Sequence, residues 1–163
     1  IKMIIYCDLD GVLVDLHRKL SDLCGFKLSN GPDFADYFYN IVDRMTSDER
    51  IDFWQNLPAT KDCHDLWNYI KVYKPKILTS CSDSKEACEG KGLWCEKHLS
   101  LAKDQIICAS KSKVKKYFAT RNAILIDDLL QNIDEWVSWG GTAILHKNAD
   151  DTIKQLKLLS SCY

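Results

Sequence analysis

Two pairs of carboxylates stand directly after apolar runs of strand length. Asp8 and Asp10 follow the first run, and Asp127 and Asp128 follow a later one. Carboxylates at positions i and i+2 of a strand face the same side, so their like charges repel and a cation between them relieves the repulsion. Mg²⁺ prefers carboxylates, water and phosphate oxygens as ligands. Because the carboxyl ends of parallel strands meet at one edge of a sheet, the sequence predicts a Mg²⁺ site there.

A simpler interpretation is that each carboxylate pair caps the helix that follows it, as acidic residues often do. For one pair alone, the two interpretations are evenly balanced. Two strand-terminal pairs with matching placement favour a ligand site over capping.

Hydroxyl groups and cations complete a predicted phosphate site. Thr79 and Ser80 end another apolar run, where hydroxyls and free backbone N–H groups can bind phosphate oxygens, although such residues are also common helix N-caps. A transferring phosphoryl group needs positive charge besides the metal. Lys91 and the lysine cluster at 111–116 are the candidates for that charge.

The elements that must position these residues alternate along the chain. Apolar runs predict five buried strands, at residues 3–7, 76–79, 105–108, 123–126 and 142–145. Amphipathic stretches predict helices between them, at residues 84–99, 111–119, 129–138 and 150–159. This alternation is typical of an α/β fold with a doubly wound parallel sheet.

A region of helix signals interrupts the alternation after the first strand. It contains no convincing strand, and its capping-box sequence Thr46-Ser47-Asp48-Glu49 predicts a helix start. We therefore predict a core domain formed by residues 1–14 and 73–163. Residues 15–72 are predicted to form a small helical cap.

Composition limits the classes of function. The 163-residue chain has a net charge of −1 and is 46% hydrophobic, which fits one globular domain with its own core. The near-neutral charge argues against binding to duplex nucleic acid, which usually requires a basic face. No apolar run has the length of a membrane span and no signal-like start is present, so we expect a cytoplasmic protein.

The eight cysteines are scattered and include no C-x-x-C pair. Cys88, Cys95 and His98 could share a helical face as a partial metal site, but structural zinc requires four ligands. Reduced, unpaired thiols are the favoured interpretation, with Cys7 and Cys108 acting as small buried apolar residues.

The order of these motifs resembles the haloacid dehalogenase (HAD) superfamily of phosphatases. A D-x-D-G-V element, a strand ending in T-S, a lysine and an I-D-D element follow one another along nearly the whole chain. The resemblance implies that Asp8 is the nucleophile that accepts the phosphoryl group. It also implies that Asp10 is the general acid that protonates the leaving oxygen and later activates water.

The same resemblance implies a cofactor, Mg²⁺, and the residues around it. The metal ligands it implies are Asp8, the backbone carbonyl of Asp10, and one or both of Asp127 and Asp128. Thr79 would bind phosphate, with Ser80 beside it. For the lysine of the third motif, Lys113 fits best and Lys115 is the alternative.

A finer resemblance is to the 5'(3')-deoxyribonucleotidase-like branch of the superfamily. Members of that branch show a K-x-x-W element before L-I-D-D, and here the element begins at Lys91 and ends at Trp94. Lys91 would then be a second cation on the phosphate side. The branch often places an aromatic residue shortly after the first motif to stack on the base, and Leu16 and His17 occupy that area here.

Aromatic residues are concentrated in the predicted cap. Most of them are expected to pack within the cap, which needs large residues for its own core. One or two are expected to face the substrate, because a nucleobase stacks well on an aromatic ring. The predicted substrate-pocket residues are Leu16, Phe38 and Trp54.

Together these expectations describe a Mg²⁺-dependent phosphomonoester hydrolase that works through an aspartyl-phosphate intermediate, with (deoxy)nucleoside monophosphates as substrates. Its partner would be a small phosphorylated substrate, and we expect no binding to membranes or duplex nucleic acid. The sequence does not determine the oligomeric state, and a homodimer is one possibility. Two alternatives remain at this stage. One is a polynucleotide 3'-phosphatase, which shares the core chemistry, and the other is a non-catalytic binding or regulatory module.

Overall fold

A five-stranded parallel sheet forms the centre of the molecule. The computed structural model describes residues 3–28, 33–81, 84–109 and 112–160. The strands are β1 (Ile4–Cys7), β2 (Lys76–Ser80), β3 (Ile106–Ala109), β4 (Ala123–Asp127) and β5 (Thr142–Leu145). Their order in the sheet is β3-β2-β1-β4-β5, and every neighbouring pair is parallel. The predicted α/β fold with a doubly wound parallel sheet is therefore confirmed.

Seven α-helices accompany the sheet in the described part of the chain. They are α1 (Leu16–Cys24), α2 (Asp33–Val42), α3 (Ser47–Gln55), α4 (Cys63–Ile70), α5 (Lys85–Leu99), α6 (Leu130–Ser138) and α7 (Ala149–Ser160). None of these helices combines the length and the apolar character needed to cross a membrane.

One predicted helix has a different geometry. The segment expected as an α-helix over 111–119 forms a 3₁₀ helix, Ser112–Phe118, between β3 and β4. A connection this short gains little from α-helical hydrogen bonds, and the tighter 3₁₀ turn is common in such pieces. The prediction of an α-helix there was wrong.

The sheet is covered on both faces, as alternating side chains along its strands require. The larger apolar cluster contains Ile5 and Cys7 of β1 together with Trp94 of α5. The smaller cluster contains Tyr6 of β1 together with Trp136 of α6. The strands therefore read as continuous apolar runs, because neither face is exposed to water.

Four helices, α1 to α4, lie between β1 and β2, where the sequence predicts a cap. An antiparallel bridge between Val14 and Ala59 ties the start of this insertion to the segment between α3 and α4. The Thr60 N–H also donates to the Leu13 carbonyl at 2.9 Å. Within the insertion, α3 packs along α5 and α4 packs against α7, so helices of the insertion contact helices that cover the sheet.

The contact between α3 and α5 depends on Gly90. A Cβ atom at this position would lie 2.5 Å from the Trp54 Cβ and 2.7 Å from the Ile51 carbonyl oxygen. Such distances are too short for any side chain, so the two helices approach this closely only because residue 90 is glycine. Gly92, one residue beyond Lys91, has open space around it.

Candidate active site

Asp8 directly follows β1, at the point where the order of the strands in the sheet reverses. The connections from β1 run to β2 and β3 on one side, whereas β4 and β5 lie on the other. The Asp8 N–H donates to the Ile126 carbonyl at 2.9 Å and so continues the pairing of β1 with β4. This places Asp8 beside Asp127, at the kind of switch point where open α/β sheets bind ligands.

A tight turn follows Asp8, and Gly11 makes it. The Leu9 carbonyl accepts hydrogen bonds from the N–H groups of Leu13 and Val14 at 2.9 and 3.0 Å. Gly11 has a φ of +77°, which residues with side chains rarely adopt. A Cβ atom on Gly11 would also overlap the Asp128 carboxylate. The turn therefore packs directly against Asp128, and only glycine fits there.

Asp127 is fully buried, and both of its oxygens accept hydrogen bonds. Its Oδ2 accepts from Lys115 Nζ at 3.0 Å and from Asn132 Nδ2 at 2.9 Å. Its Oδ1 accepts from the Leu129 N–H at 3.0 Å and also from Asn132. Asp127 thus anchors the turn before α6 and holds a buried lysine, whereas the N-cap of α6 is Leu129 and has no side-chain capping hydrogen bond.

Three carboxylates are crowded together at the ends of β1 and β4. Asp8, Asp127 and Asp128 can each offer an oxygen atom within 4.8 Å of the others. Asp8 Oδ1 is buried and has no hydrogen-bond partner among the described residues. Burial raises the pKa of Asp8 to about 8, with Lys115 opposing the rise and Asp127 adding to it. Burial likewise raises the pKa of Asp128 to about 6, with Asp127 adding to it.

This donor set fits a hard divalent cation. A buried carboxylate oxygen without a donor is costly to maintain, and crowded carboxylates repel one another. Mg²⁺ requires oxygen ligands, of which protein carboxylates commonly supply one or two. The group formed by Asp8, Asp127 and Asp128 supplies such carboxylate oxygens, and a bound cation would relieve the repulsion among them.

Lys115 is the member of the 111–116 cluster whose described side chain reaches the carboxylates. Its side chain is 5% exposed, and Nζ lies 3.0 Å from Asp127 Oδ2 and 4.0 Å from Asp8 Oδ1. Burial lowers the pKa of Lys115, but the charges of Asp8 and Asp127 outweigh this and raise it overall. The side chain of Lys113, the first choice from the sequence, lies outside the described part of the structure.

Lys91 is a second buried cation and forms an ion pair with Asp10. Its Nζ donates to Asp10 Oδ2 at 2.5 Å, to the Ser80 carbonyl at 2.6 Å and to Thr79 Oγ1 at 3.1 Å. It also lies 4.7 Å from the centre of the Trp54 ring. Burial lowers the pKa of Lys91, but the charge of Asp10 and its hydrogen bond outweigh this and raise it. The lysine is therefore charged despite its burial.

Two adjoining cavities open onto these residues. The Asp8 cavity, of about 420 Å³, is lined by Asp8, Asp10, Gly11, Leu16, His17, Phe34, Ser80, Lys115, Asp128, Leu129 and Asn132. The aromatic cavity, of about 370 Å³, shares Asp10, Leu16, Phe34 and Ser80 with it. The aromatic cavity adds Lys91, Phe38, Tyr39, Arg50 and Trp54. All three predicted substrate-pocket residues therefore line the aromatic cavity. Thr79 lines neither cavity and meets the site through Lys91.

Three features of the site were not predicted from the sequence. Asn132 donates to Asp127 from the first turn of α6 and so orients its carboxylate. In the sequence, this role is indicated only by the position of Asn132 five residues after Asp127. Arg50 lines the aromatic cavity while donating to the Val42 carbonyl at 3.1 Å. The His17 ring stacks on Phe34, with centroids 4.0 Å apart, so an aromatic ring does follow the first motif.

The helical face considered for a partial metal site has another role. Cys95 is fully buried, and the His98 ring stacks on Trp94 with centroids 4.6 Å apart. Within the described residues, these two side chains are not part of any group with metal-ligand spacing. The thiols that the fold does bring together are Cys81, Cys88 and Cys108.

Comparison with solved structures identifies the fold of this chain. Neither a protein-family profile nor a curated relative matches the sequence. A hydrolase from Streptococcus pneumoniae superposes with a TM-score of 0.57 and 12% identity, over 96% of this chain and 100% of that chain. A HAD-superfamily hydrolase from Ehrlichia chaffeensis gives a TM-score of 0.52 and 13% identity, over 98% and 99% of the two chains.

A third solved structure is the magnesium complex of a HAD family enzyme from Bacteroides thetaiotaomicron. It superposes with a TM-score of 0.52 and 13% identity, over 91% of this chain and 95% of that chain. Identities this low establish similarity of fold and nothing finer. The chain has the fold of haloacid dehalogenase superfamily hydrolases, the superfamily that its motifs resemble.

Proposed function

We propose that this chain is a Mg²⁺-dependent phosphomonoester hydrolase of the haloacid dehalogenase superfamily, with Asp8 as its covalent nucleophile. The observation that carries the proposal is the convergence of Asp8, Asp10, Lys115 and Asp128 on one cavity. Lys91 borders the same space from the adjoining aromatic cavity. The residues supply a nucleophile, a second carboxylate for proton transfer and two buried cations, which is what phosphoryl transfer requires.

In the proposed reaction, Asp8 forms the covalent intermediate. A carboxylate oxygen of Asp8 attacks phosphorus, the bond from phosphorus to the ester oxygen breaks, and Asp10 donates a proton to the leaving oxygen. Water then attacks the phosphorus of the aspartyl phosphate while Asp10 takes up its proton. The Asp8–phosphorus link breaks, and inorganic phosphate leaves with the original carboxylate restored.

Lys91 connects phosphate binding to the release of Asp10 from its ion pair. Without substrate, its ammonium group is shared by Asp10, Thr79 and the Ser80 carbonyl. A phosphate oxygen is a strong charge-assisted acceptor and can take the place of Asp10 on Nζ. Asp10 is then released from the Lys91 ammonium group.

Mg²⁺ would be held by Asp8, the Asp10 backbone carbonyl and Asp128, with Asp127 supporting the group through Lys115. When bound, the ion would neutralise the charge that otherwise keeps a phosphate away from these carboxylates. The solved magnesium complex with the same fold supports the choice of metal. Asp128 is preferred to Asp127 as a direct ligand because both oxygens of Asp127 already accept from Lys115, Asn132 or the Leu129 N–H.

The aromatic cavity supports a nucleoside monophosphate as substrate. It is lined by Asp10 and Lys91 and also by Phe38 and Trp54, whose rings pack against each other with centroids 5.8 Å apart. A phosphate bound at Lys91 would leave the rest of the substrate among these rings. A base stacked on one of them gains on the order of 1–3 kcal/mol. We therefore propose a (deoxy)nucleoside monophosphate, as in the 5'(3')-deoxyribonucleotidase-like branch.

The inserted helices are proposed to act as the cap over this site. Phe34 and Phe38 of α2 and Trp54 of α3 line the aromatic cavity, which Asp10 also lines. A wall of this kind excludes bulk water while the phosphoryl group is transferred. The division into residues 15–72 as the cap and the rest as the core remains our proposal.

The test is a Mg²⁺-dependent phosphate-release assay on a panel of nucleoside monophosphates, sugar phosphates and 3'-phosphorylated oligonucleotides. Asp8→Asn should abolish turnover and phospho-enzyme formation, read by mass spectrometry after acid quenching. Asp22→Asn, an exposed carboxylate on α1, is the matched control and should retain activity. Activity that survives in Asp8→Asn would refute the covalent mechanism, and a preference for oligonucleotides would overturn the proposed substrate.

A further inference from the structure

Three cysteine thiols form a cluster outside the proposed phosphatase residues. Cys81 directly follows β2, Cys88 lies in the first turn of α5, and Cys108 lies in β3. Their three Sγ atoms all lie within 4.8 Å of one another. All three cysteines are free thiols in the structure.

Backbone hydrogen bonds hold the three segments in place. Cys108 lies opposite Thr79 in the pairing of β2 with β3. The Cys81 N–H donates to the Ala109 carbonyl at 3.2 Å and so continues this pairing beyond the end of β2. The Ser84 N–H donates to the Cys81 carbonyl at 2.8 Å, and Ser84 in turn accepts from the Cys88 N–H at 3.2 Å. The thiols are therefore positioned by the fold and do not depend on one another for their placement.

The spacing of the sulfur atoms fits a single ion. A zinc–thiolate bond is about 2.3 Å long, so three sulfurs around one ion in their plane are about 4 Å apart. The observed cluster lies within 1 Å of that arrangement, since its sulfur atoms are at most 4.8 Å apart. Three adjacent thiols form only weak hydrogen bonds with one another, whereas three thiolates are strong ligands for soft metals.

Access and charge also suit a metal ion. Cys88 and Cys108 line a separate cavity of about 760 Å³, which is bordered by the start of α5 and by β3. Cys81 lines the aromatic cavity on the other side, so the cluster forms part of the wall between the two cavities. Three thiolates carry more negative charge than a mono- or divalent ion neutralises, and the ammonium group of Lys91 lies within electrostatic range of all three.

We propose that Cys81, Cys88 and Cys108 form a three-thiolate site for a soft d¹⁰ metal ion, Cu⁺ or Zn²⁺. Binding releases the three thiol protons to solvent and changes no oxidation state. Within the described residues, no further His, Cys, Asp or Glu joins the cluster. Cu⁺ would be three-coordinate, whereas Zn²⁺ would take a fourth ligand, such as water, from the cavity.

The site is tested with reduced, metal-free, full-length protein under anaerobic conditions. Cu⁺ is titrated against bathocuproine disulfonate and Zn²⁺ against 4-(2-pyridylazo)resorcinol, and X-ray absorption identifies the bound ligands. We expect one ion per chain with sulfur coordination from at least one of the two metals. A large excess of Mg²⁺ should not displace it, because the site is built from soft ligands.

Single serine substitutions locate the site. Cys81→Ser, Cys88→Ser and Cys108→Ser should each weaken binding at least about 100-fold, the upper end of what losing an outer-shell partner costs. Cys24→Ser, a half-buried thiol on α1, is the matched control and should bind as the unaltered protein does. Circular dichroism of each variant shows whether it is folded, and a cysteine-to-alanine series replaces any serine variant that is not.

Two outcomes would overturn the proposal. One is that neither metal binds more tightly to the unaltered protein than to the folded Cys88→Ser variant. The other is a bound ion whose affinity falls equally in Cys24→Ser. Because these measurements use no phosphatase assay, their failure is distinguishable from failure of the proposed function.

Discussion

At the scale of single residues, the adjacent carboxylates Asp127 and Asp128 have different surroundings. Asp127 is enclosed by Lys115, Asn132 and the Leu129 N–H, whereas Asp128 faces the Asp8 cavity. In the proposed site, Asp127 therefore positions Lys115, and Asp128 is the carboxylate left to contact Mg²⁺.

This division predicts different effects for two conservative substitutions. Asp128→Asn should raise the Mg²⁺ concentration for half-maximal activity by about 10-fold or more, because a metal ligand is weakened. Asp127→Asn should lower stability by about 3 kcal/mol, because it leaves the buried charge of Lys115 without its partner. Mg²⁺ titrations and chemical denaturation of both variants measure the two effects. Equal Mg²⁺ dependence in the two variants would contradict the assignment.

Lys91 offers a second prediction at this scale. Lys91→Met keeps the aliphatic packing beneath Trp54 but removes the charge that holds Asp10, Thr79 and the Ser80 carbonyl. We expect kcat to fall about 10²- to 10³-fold, as when one preorganised donor to a transition state is lost. Steady-state kinetics measure this, with the exposed Lys97→Met on the same helix as the control. A change confined to KM would place Lys91 in substrate binding alone.

The choice between Lys113 and Lys115 shows how far sequence reasoning reaches for a single residue. A cluster of lysines close to a predicted carboxylate site indicates that one of them points inward. Which one does so depends on the turn geometry of the segment, and here that segment is a 3₁₀ helix with three residues per turn. Lys115 Nζ contacts Asp127 Oδ2 from this segment, and lysine spacing alone did not single it out.

At the scale of elements, the packing of α3 on α5 sets the position of Lys91. Gly90→Ala would force a methyl group against the Trp54 Cβ and the Ile51 carbonyl. Overpacking of this kind costs about 1–3 kcal/mol, against a gain of about 1 kcal/mol from alanine in a helix. We therefore expect Gly90→Ala to lower both the melting temperature and the activity, because Lys91 moves with its helix.

Gly92→Ala is the matched control two residues further along α5. Its Cβ meets open space, so only the helix-propensity gain of about 1 kcal/mol remains. Thermal melts followed by circular dichroism should show a higher melting temperature for Gly92→Ala and a lower one for Gly90→Ala. Equal shifts in the two variants would show that α3 and α5 are not in close contact at Gly90.

The strands were predictable because both faces of the sheet are covered. Residues such as Ile5 and Tyr6 point to opposite apolar clusters, so the strand appears as an unbroken apolar run ending at a carboxylate. The inserted helices gave weaker signals, because they bury only part of their surface. The capping box at Thr46 and Glu49 was the exception, and both of its hydrogen bonds are present in the structure.

At the scale of the whole molecule, the crowding of the carboxylates lowers the stability of the metal-free protein. Folding brings Asp8, Asp127 and Asp128 together, and burial raises the pKa of Asp8 to about 8 and that of Asp128 to about 6. In the unfolded chain both groups ionise near 3.8. The folded state therefore retains protons that the unfolded state has released. Stability of the metal-free protein should fall as pH rises from about 4 to about 8.

Mg²⁺ should oppose this loss, because it binds the ionised carboxylates of the folded state. At 100 times its dissociation constant, a ligand specific to the folded state adds about 2.7 kcal/mol, or roughly 5–10 °C in melting temperature for a chain of this size. The increase should be larger at pH 8 than at pH 5, where protons compete with the metal. Melting curves with MgCl₂, and with NaCl of equal ionic strength as the control, measure it. An increase that NaCl reproduces, or one that is larger at pH 5, would show that Mg²⁺ does not bind at the carboxylates.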